Sequence, residues 1–386
     1  MLQKKRVALM IETSTIYGRE LLKGVIRFRQ THHDWSIFLE QRDLTAKPPA
    51  WLADWKGSGI ISRVTTPEFA KAVRKSGIPI VELTDRGQDY GFPVIRSDDD
   101  EIARLAAEHL IERGFQNFAY CGFEHEEWST RRETSFARYV AQPDKQCAIY
   151  RSVWQGPDAR TAEDERTELV RWLHSLPLPV GIYCCSDVRG QQVLEACAQA
   201  DLVIPEEVAV IGTDNDSVIC ELCDPSMTSV IPDAEETGFQ AASLLSRLMD
   251  GEKPDELLHV IRPVGIEVRQ SSDIVAIDDP SIATALSYIR ENACSGITVQ
   301  DVIAHSGLSR STLERQLRKL LSRSPQQEIR HVQIKRARQL LMETDLPMDR
   351  IAALCGFDHP EYMHVVFRRE TNMTPGQYRR NLRATK

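Results

Sequence analysis

The strongest constraint on how this chain folds is an internal repeat near its C-terminus. Setting Gly307 against Gly356 aligns Thr298 with Pro347, Val299 with Met348, Val302 with Ile351, Ala304 with Ala353 and Leu308 with Phe357. Leu313 and Leu317 of the first copy then answer to Met363 and Phe367 of the second, with one extra residue in the second turn. Each copy reads as a helix, a tight turn and a second helix. The glycine supplies the left-handed backbone that ends the first helix. Ala304 and Ala353 are small enough to let the paired helices cross closely, and Ser309 and Asp358 are suited to cap the second helices. Between the copies, residues 326–343 carry Ile329, Val332, Ile334, Ala337, Leu340 and Leu341 at helical spacing, which predicts one long joining helix.

A plain helical bundle explains the period but not the doubled glycine turn or the side chains turned outward. On the second helix of the first copy these are Ser309, Arg310, Ser311, Glu314, Arg315 and Arg318; on that of the second copy they are His359, Glu361, Tyr362, His364, Val365 and Arg368. Arginine binds phosphate and reads guanine edges, and Ser, Glu, His and Tyr meet base edges or sugar-phosphate. Charge points the same way. Residues 280–386 hold 17 Lys and Arg against 10 Asp and Glu (+7), while the remainder holds 31 against 46 (−15). A basic block on an acidic body is expected to meet a polyanion, here double-stranded DNA.

At 386 residues the chain is long enough for two or three domains. Residues 1–270 alternate strand and helix signals. Strands are expected at 6–11, 35–40, 59–62, 79–83, 117–121, 148–154, 181–185, 208–211 and 259–269. Helices are expected at 17–29, 67–76, 101–113, 128–140, 162–175, 189–200 and 237–249. The alternation calls for largely parallel α/β sheets, and its restart after Asp98 suggests two lobes with a cleft between them. Residues 271–281 are polar and without period, and are read as a linker. Residues 282–386 read as helices only.

The composition, 42% hydrophobic and 27% charged, is that of a soluble globular chain, and no apolar run approaches the roughly 20 residues that span a bilayer. The apolar run of the N-terminus, VALMI, is too short for a secretion signal, so no membrane is involved and a cytoplasmic location is expected. Nine cysteines without an export signal read as free thiols, and the lone pair Cys220 and Cys223 lacks further ligands for a metal. Phosphate-loop, zinc-protease and nucleophile-elbow motifs are absent from the sequence, so no enzyme, no metal and no cofactor is expected.

Residues 303–325 (IAHSGLSRSTLERQLRKLLSRSP) and 351–378 (IAALCGFDHPEYMHVVFRRETNMTPGQY) resemble the two helix-turn-helix units of AraC/XylS-type transcription regulators. The resemblance implies two recognition helices entering successive major grooves on one face of DNA. Pro360 departs from the commonest pattern but is tolerated near a helix start. Residues 97–114 (SDDDEIARLAAEHLIERG), 185–200 (CSDVRGQQVLEACAQA), 204–214 (IPEEVAVIGTD), 225–230 (PSMTSV) and 237–251 (TGFQAASLLSRLMDG) resemble the sensing domain of LacI/GalR-type regulators. That domain is a two-lobed fold similar to type I periplasmic binding proteins. Because the sequence opens on its first strand, the N-terminal DNA-binding unit usual in that family is expected to be replaced by the module at the other end. WSTRRETSF (128–136), IGTDN (211–215) and YIRENACSG (288–296) bring the chain nearer to pentose-responsive regulators built in this order, and imply a sugar effector with D-xylose the first choice.

Sugars need charged partners for their hydroxyls and aromatic faces for their C–H surfaces. Asp187 and Asp214 follow strand ends, where ligands bind in open α/β sheets. By resemblance, ligand contact is carried to Trp128, Arg132, Asp187 and Asp214, with Glu12, Tyr17 and Asn215 added. Each has a structural alternative: Asp187 and Asp214 as helix caps, Trp128 and Tyr17 as packing, Arg132 as a surface partner of Glu133 or Glu126. Asp98, Asp99 and Asp100 read as caps and crossover residues rather than ligands. The expected assembly is a homodimer on a DNA operator, with RNA polymerase a further partner if the chain activates; repression stays open. A sensor for arabinose, ribose or a nucleoside is the alternative among regulators. A solute-binding protein and a cleft enzyme on the same fold are alternatives of other classes.

Overall fold

The computed structural model describes residues 4–32, 34–39, 51, 55–63, 65–83, 89–143, 146–273, 279–321, 323–371 and 373–384. Glu40, at the end of an expected strand, and residues 274–278 of the expected linker lie outside them. The chain divides into two compact units, Met1–Asp201 with Ala209–Asp273, and Leu202–Val208 with Ile274–Lys386.

The first unit holds two six-stranded sheets. One consists of β1 (Lys5–Met10), β2 (Trp35–Leu39), β3 (Gly59–Ser62), β4 (Ile80–Glu82), β5 (Val94–Ser97) and β11 (Leu258–Ile261), in the order β11-β5-β4-β3-β1-β2 with parallel pairing throughout. The other consists of β6 (Asn117–Glu124), β7 (Ala148–Val153), β8 (Val180–Cys184), β9 (Val208–Thr213), β10 (Thr228–Ile231) and β12 (Gly265–Glu267), in the order β12-β10-β9-β8-β6-β7. The inner strands β8 and β9 are buried at every position, as the unbroken apolar runs VGIYC and VAVIGT require when helices cover both faces.

Helices α1 (Ile16–Thr31), α2 (Pro67–Ser76) and α8 (Ala234–Met249) belong with the first sheet; Leu21, Val25 and Phe28 of α1 share one core with Ala241, Leu244 and Leu245 of α8. The second half of the unit carries α3 (Asp99–Glu112), α4 (Glu127–Tyr139), α5 (Ala162–Leu173), α6 (Asp187–Gln199) and α7 (Ser217–Leu222). The chain passes between the sheets after β5, between β10 and β11, and between β11 and β12.

The expected strand at 259–269 is two strands in different sheets. β11 pairs with β5 in the first, and β12 runs antiparallel to β10 in the second. Pro263, which lacks a ladder donor, sits in the connection. Ser271 and Ser272, placed in the linker for their polarity, are buried in the sensor. Ser271 Oγ receives the Thr228 N–H at 2.9 Å and donates to the Val210 carbonyl at 2.6 Å; Ser272 Oγ lies 2.7 Å from His109 Nε2.

The second unit is helical: α9 (Pro280–Asn292), α10 (Val299–Ser306), α11 (Arg310–Leu321), α12 (Pro325–Glu343), α13 (Met348–Leu354), α14 (Pro360–Thr371) and α15 (Pro375–Ala384). Within it, Arg290 donates to the Ile204 carbonyl at 2.7 Å and pairs with the buried Glu206 carboxylate. The repeat folds as two helix-turn-helix units, α10–α11 and α13–α14, with Gly307 and Gly356 at φ 69° and 72° in the turns. Leu313, Leu317, Met363 and Phe367 are all buried.

Two local readings are corrected. Ala304 and Ala353 are exposed, so the close helix packing rests instead on Val302, Ile351, Ala352 and Cys355. Ser309 caps α11 by accepting the Thr312 N–H at 3.2 Å, but α14 begins at Pro360, with the His359 carbonyl receiving the Tyr362 and Met363 N–H groups at 3.1 and 3.3 Å. The proline, with its fixed φ and missing donor, moves the helix start beyond Asp358.

The long helix α12 joins the two helix-turn-helix units. Ile329 belongs to the core formed with α9, α10 and α11, whereas Ile334, Ala337, Leu340 and Leu341 belong to the core formed with α13 and α14.

Candidate functional site

A cavity opens in the sensor where strand ends from both sheets face each other. The chain reaches it repeatedly just after a strand: Ser14 to Tyr17 after β1, Arg63 after β3, Leu83 after β4, Trp154 after β7, Ser186 to Val188 after β8, and Asp214 and Asp216 after β9. Three helices begin there. Thr15 caps α1 through the Gly18 N–H, Ser186 caps α6 through the Arg189 N–H, and Asp216 caps α7 through the Val218 N–H. Their first turns bring partial positive charge to the wall.

Five of the seven residues expected to meet ligand line this cavity: Tyr17, Trp128, Arg132, Asp187 and Asp214. Arg132 is buried. It donates from Nε to Asp99 Oδ1 at 2.9 Å and from a terminal nitrogen to the Cys185 carbonyl at 2.6 Å, rather than pairing with Glu133 or Glu126. Its guanidinium lies 5.1 Å from the Trp128 ring centre. The half-buried Trp128 is tied by its indole N–H to Glu126 at 2.9 Å. The Tyr17 hydroxyl meets Ser97 Oγ at 2.8 Å, and burial pushes its pKa up to about 12.

The two aspartates differ. Asp187 is the first residue of α6, and its carboxylate accepts the Asp216 N–H at 2.7 Å and the Ser229 hydroxyl at 2.6 Å, so it braces the loop after β9. Burial, and then the neighbouring Asp214, raise its pKa well above the ordinary range. Asp214 sits at φ 109°. Burial raises its pKa from the ordinary 3.8 to about 6; the Arg132 and Arg63 guanidiniums oppose the rise, and Asp216 and Asp99 add to it. A carboxylate stripped of water beside guanidiniums and aromatic rings suits hydroxyl-bearing ligands.

Glu12 and Asn215 are not among the lining residues. The Glu12 carboxylate is buried against Arg63 and receives the Thr15 hydroxyl at 2.8 Å, so it holds Arg63 in place from behind. Asn215, at φ 51°, donates its backbone N–H to Ser229 Oγ at 3.0 Å.

The sequence reading passed over Asp99. Asp98 does cap α3, accepting the Glu101 N–H at 3.0 Å, and Asp100 meets Arg138 and Tyr139 at the surface. Asp99 instead turns into the cavity wall and gathers three guanidiniums: Arg131 and Arg132 at 2.9 Å each and Arg96 at 3.6 Å. Arg63, whose guanidinium lies 4.5 Å from the Tyr17 ring centre, was also missed. So was Trp154, stacked on Phe123 at 4.8 Å and edge-on to Trp128 at 6.1 Å. The available signal was position: Arg63, Trp154 and Asp99 each lie within two residues of a strand end.

On the helical unit, Ser309, Arg310, Ser311, Arg315 and Arg318 are exposed on or beside α11, with Glu314 half-buried and 3.4 Å from Arg310. His359, Glu361, Tyr362, His364, Val365 and Arg368 are exposed on or beside α14. Val365 is 65% exposed, an apolar side chain with no core role and suited to contact a thymine methyl.

Comparison with known proteins agrees with both halves. The XylR N-terminal domain matches residues 6–93, the periplasmic binding protein-like domain residues 107–272, and the helix-turn-helix domain residues 302–381. The chain is 30% identical to the xylose operon regulatory protein of Haemophilus influenzae over 98% of its own length and 99% of that protein's, and 30% identical to the one of Escherichia coli K12, covering 98% and 97%. A solved structure of a xylose-binding transcription activator, XylR, superposes with a TM-score of 0.81 at 29% identity, covering 98% of each chain. A LacI family transcriptional regulator from Enterococcus faecium with bound ribose shares the sensor fold, with a TM-score of 0.57 at 21% identity over 71% of this chain and 100% of that one. With its two-lobed sensor and double helix-turn-helix in the same order over nearly the full length, the chain belongs to the family of xylose operon regulatory proteins, which are DNA-binding transcription regulators.

Proposed function

We propose that the chain is a D-xylose-responsive regulator of pentose-catabolic genes, acting as an activator and as a homodimer in the cytoplasm, with RNA polymerase as its further partner on DNA. The observation that carries this reading is the sensor cavity. Aromatic faces from the half-buried Trp128 and Trp154 stand with the buried Arg132 and Asp99 and the half-buried Asp214 in one wall, in a chain resembling xylose regulators from end to end. The rings suit the C–H faces of a sugar, while Asp214 and Arg132 suit hydroxyls as acceptor and donor. Sugar seated there stabilises one arrangement of the sensor, and the resulting shift in populations alters how the two helix-turn-helix units engage an operator. Exposed Arg315, Arg318 and Arg368 supply phosphate and base contacts, with Ser309, Arg310, Ser311, Glu314, His359, Glu361, Tyr362 and His364 around them. The role is one of binding, without turnover of the sugar. Among the described residues no helix is long and apolar enough to cross a membrane.

The test is a thermal-shift panel of pentoses and hexoses on the full-length chain, because a ligand that binds only the folded state raises the melting temperature by mass action. A shift with D-xylose, with the sugar recovered unchanged, is expected. A shift only with arabinose, ribose or a nucleoside overturns the choice of effector, and conversion of the sugar overturns the non-catalytic reading.

A further inference from the structure

The two cores of the helical unit meet on α12, and a buried polar side chain sits at the meeting point. Gln333 lies between Ile329, which belongs to the first core, and Ile334, which belongs to the second. It is 1% exposed and spends its whole amide on hydrogen bonds. Nε2 donates to the Ala293 carbonyl at 2.8 Å and to the Gly356 carbonyl at 3.2 Å; Oε1 accepts from Arg330 at 2.6 Å. Ala293 packs in the first core, and Gly356 is the turn of the second helix-turn-helix. One side chain therefore ties the backbone at the end of α9, which packs in the core of the first helix-turn-helix, to the turn of the second.

Arg330 fixes which way round the amide stands. Its donation to Oε1 leaves both N–H groups for the two carbonyls, and a flipped amide places oxygen against oxygen. The same guanidinium lies 5.2 Å from the Phe357 ring centre and 4.9 Å from that of Tyr362, on the exposed side of α14. The joint is also tight. A Cβ on Gly356 would sit 2.7 Å from the Cys294 carbonyl oxygen, so the second turn rests directly on the end of the first core.

We propose that Gln333, oriented by Arg330, is a positioning residue that fixes the two helix-turn-helix units relative to each other and so sets the spacing of the two half-elements the chain accepts on DNA. Apolar packing is non-directional, whereas a buried amide bridging two carbonyls cannot shift without losing hydrogen bonds. The inference rests on the DNA-binding reading of α11 and α14.

The experiment uses the full-length chain and a duplex that the wild type enriches from a randomised pool. Fluorescence anisotropy then measures binding to that duplex, to the same duplex with one base pair inserted between its half-elements, and to each half-element alone. The insertion shifts the second element by about 3.4 Å and roughly 35° of turn. Wild type is expected to bind the inserted duplex at least about tenfold more weakly, the scale of one lost base contact. Gln333→Met keeps length and apolar bulk but not the bridge. It is expected to bind single half-elements as wild type does, to lose about tenfold on the selected duplex, and to distinguish the two spacings by less than about threefold. Arg330→Met, which spares the two carbonyl bonds but frees the amide, is expected to change spacing preference in the same direction.

A Gln333→Met chain that keeps the wild-type ratio between spacings overturns the proposal, as does equal weakening on single elements and on the pair. Indifference of the wild type to the insertion overturns it too, and leaves DNA binding intact. Failure of the wild type to enrich any duplex removes the DNA-binding reading itself and the proposal with it.

Discussion

Replacing Asp214 by Asn separates what the cavity needs for folding from what it needs for binding. Asp214 is held at φ 109°, in a half of conformational space that Asn tolerates better than most side chains, so the backbone accepts the change. Burial raises its pKa from 3.8 to about 6, against the pull of Arg132 and Arg63. An acid with a higher pKa in the folded than in the unfolded state binds protons more tightly when folded. Stability therefore falls as pH rises from about 3.8 to about 6, and the full cost persists above that window. The gap corresponds to roughly 3 kcal/mol at about 1.4 kcal/mol per pH unit. The neutral amide escapes this cost and incurs a smaller one for its own burial. The Asp214→Asn sensor is expected to be about 1–3 kcal/mol more stable than wild type at about pH 7.5, with the advantage nearly gone at about pH 4. The substitution also removes a charged acceptor for ligand hydroxyls, worth about 1.5–3 kcal/mol, so D-xylose affinity falls roughly 10–150-fold. All six tryptophans precede residue 273, so urea unfolding followed by tryptophan fluorescence reports the sensor alone. Calorimetry on the same samples gives the affinity. Equal or lower stability of the variant near neutral pH, or a gain of the same size at both pH values, refutes the argument.

Asp99→Ala removes the carboxylate shared by Arg96, Arg131 and Arg132, and is expected to cost the sensor about 3–5 kcal/mol and to abolish detectable sugar binding, read by the same fluorescence and calorimetry. Arg315→Ala is expected to weaken binding to the selected duplex by about 1–3 kcal/mol while sugar affinity stays at the wild-type value; loss of both in a folded chain contradicts the division of labour. His109, buried against Ser272, is held neutral with its pKa lowered from 6.5 to about 3, first by burial and then by Arg113. Its contribution is present above about 6.5 and lost as pH falls toward about 3, so a His109→Gln sensor is expected to lose less stability than wild type between those values.

Most of the order of elements was legible because local patterns decide it; the short strands β5 and β10 and the short helix α7 were not expected, since so few residues carry no period. Unbroken apolar runs gave β8 and β9, and the glycine pair with its helical spacing gave both helix-turn-helix units before any tertiary contact was known. What pattern does not carry is which of several neighbouring polar groups turns inward. Asp98, Asp99 and Asp100 are consecutive; the first caps, the third faces solvent, and only the second enters the cavity, because the first turn of a helix points successive side chains about 100° apart. Arg63, after β3, meets Glu12, after β1, only once the sheet is assembled, so no spacing in the sequence links the two. Arg96 stands only three residues before Asp99, but in the strand β5 rather than in the helix that Asp99 begins. Glu12 illustrates the reverse. Its place after β1 suggests ligand contact, but the arginine that pairs with it lies between it and the cavity. The split of residues 259–269 between two sheets was likewise invisible, since both halves read as extended chain and only partner strands tell them apart.

Sugar in the sensor is proposed to change what the helical unit does on DNA. The most direct test is footprinting and anisotropy of the full-length chain on its selected duplex, with and without saturating D-xylose, beside the Asp214→Asn chain. D-xylose is expected to change the affinity or the length of DNA protected by the wild type, and to do the same to the variant only at roughly 10–150-fold higher sugar concentration. Heat of D-xylose binding to the wild type, accompanied by identical affinity and an identical footprint with and without the sugar, would contradict it.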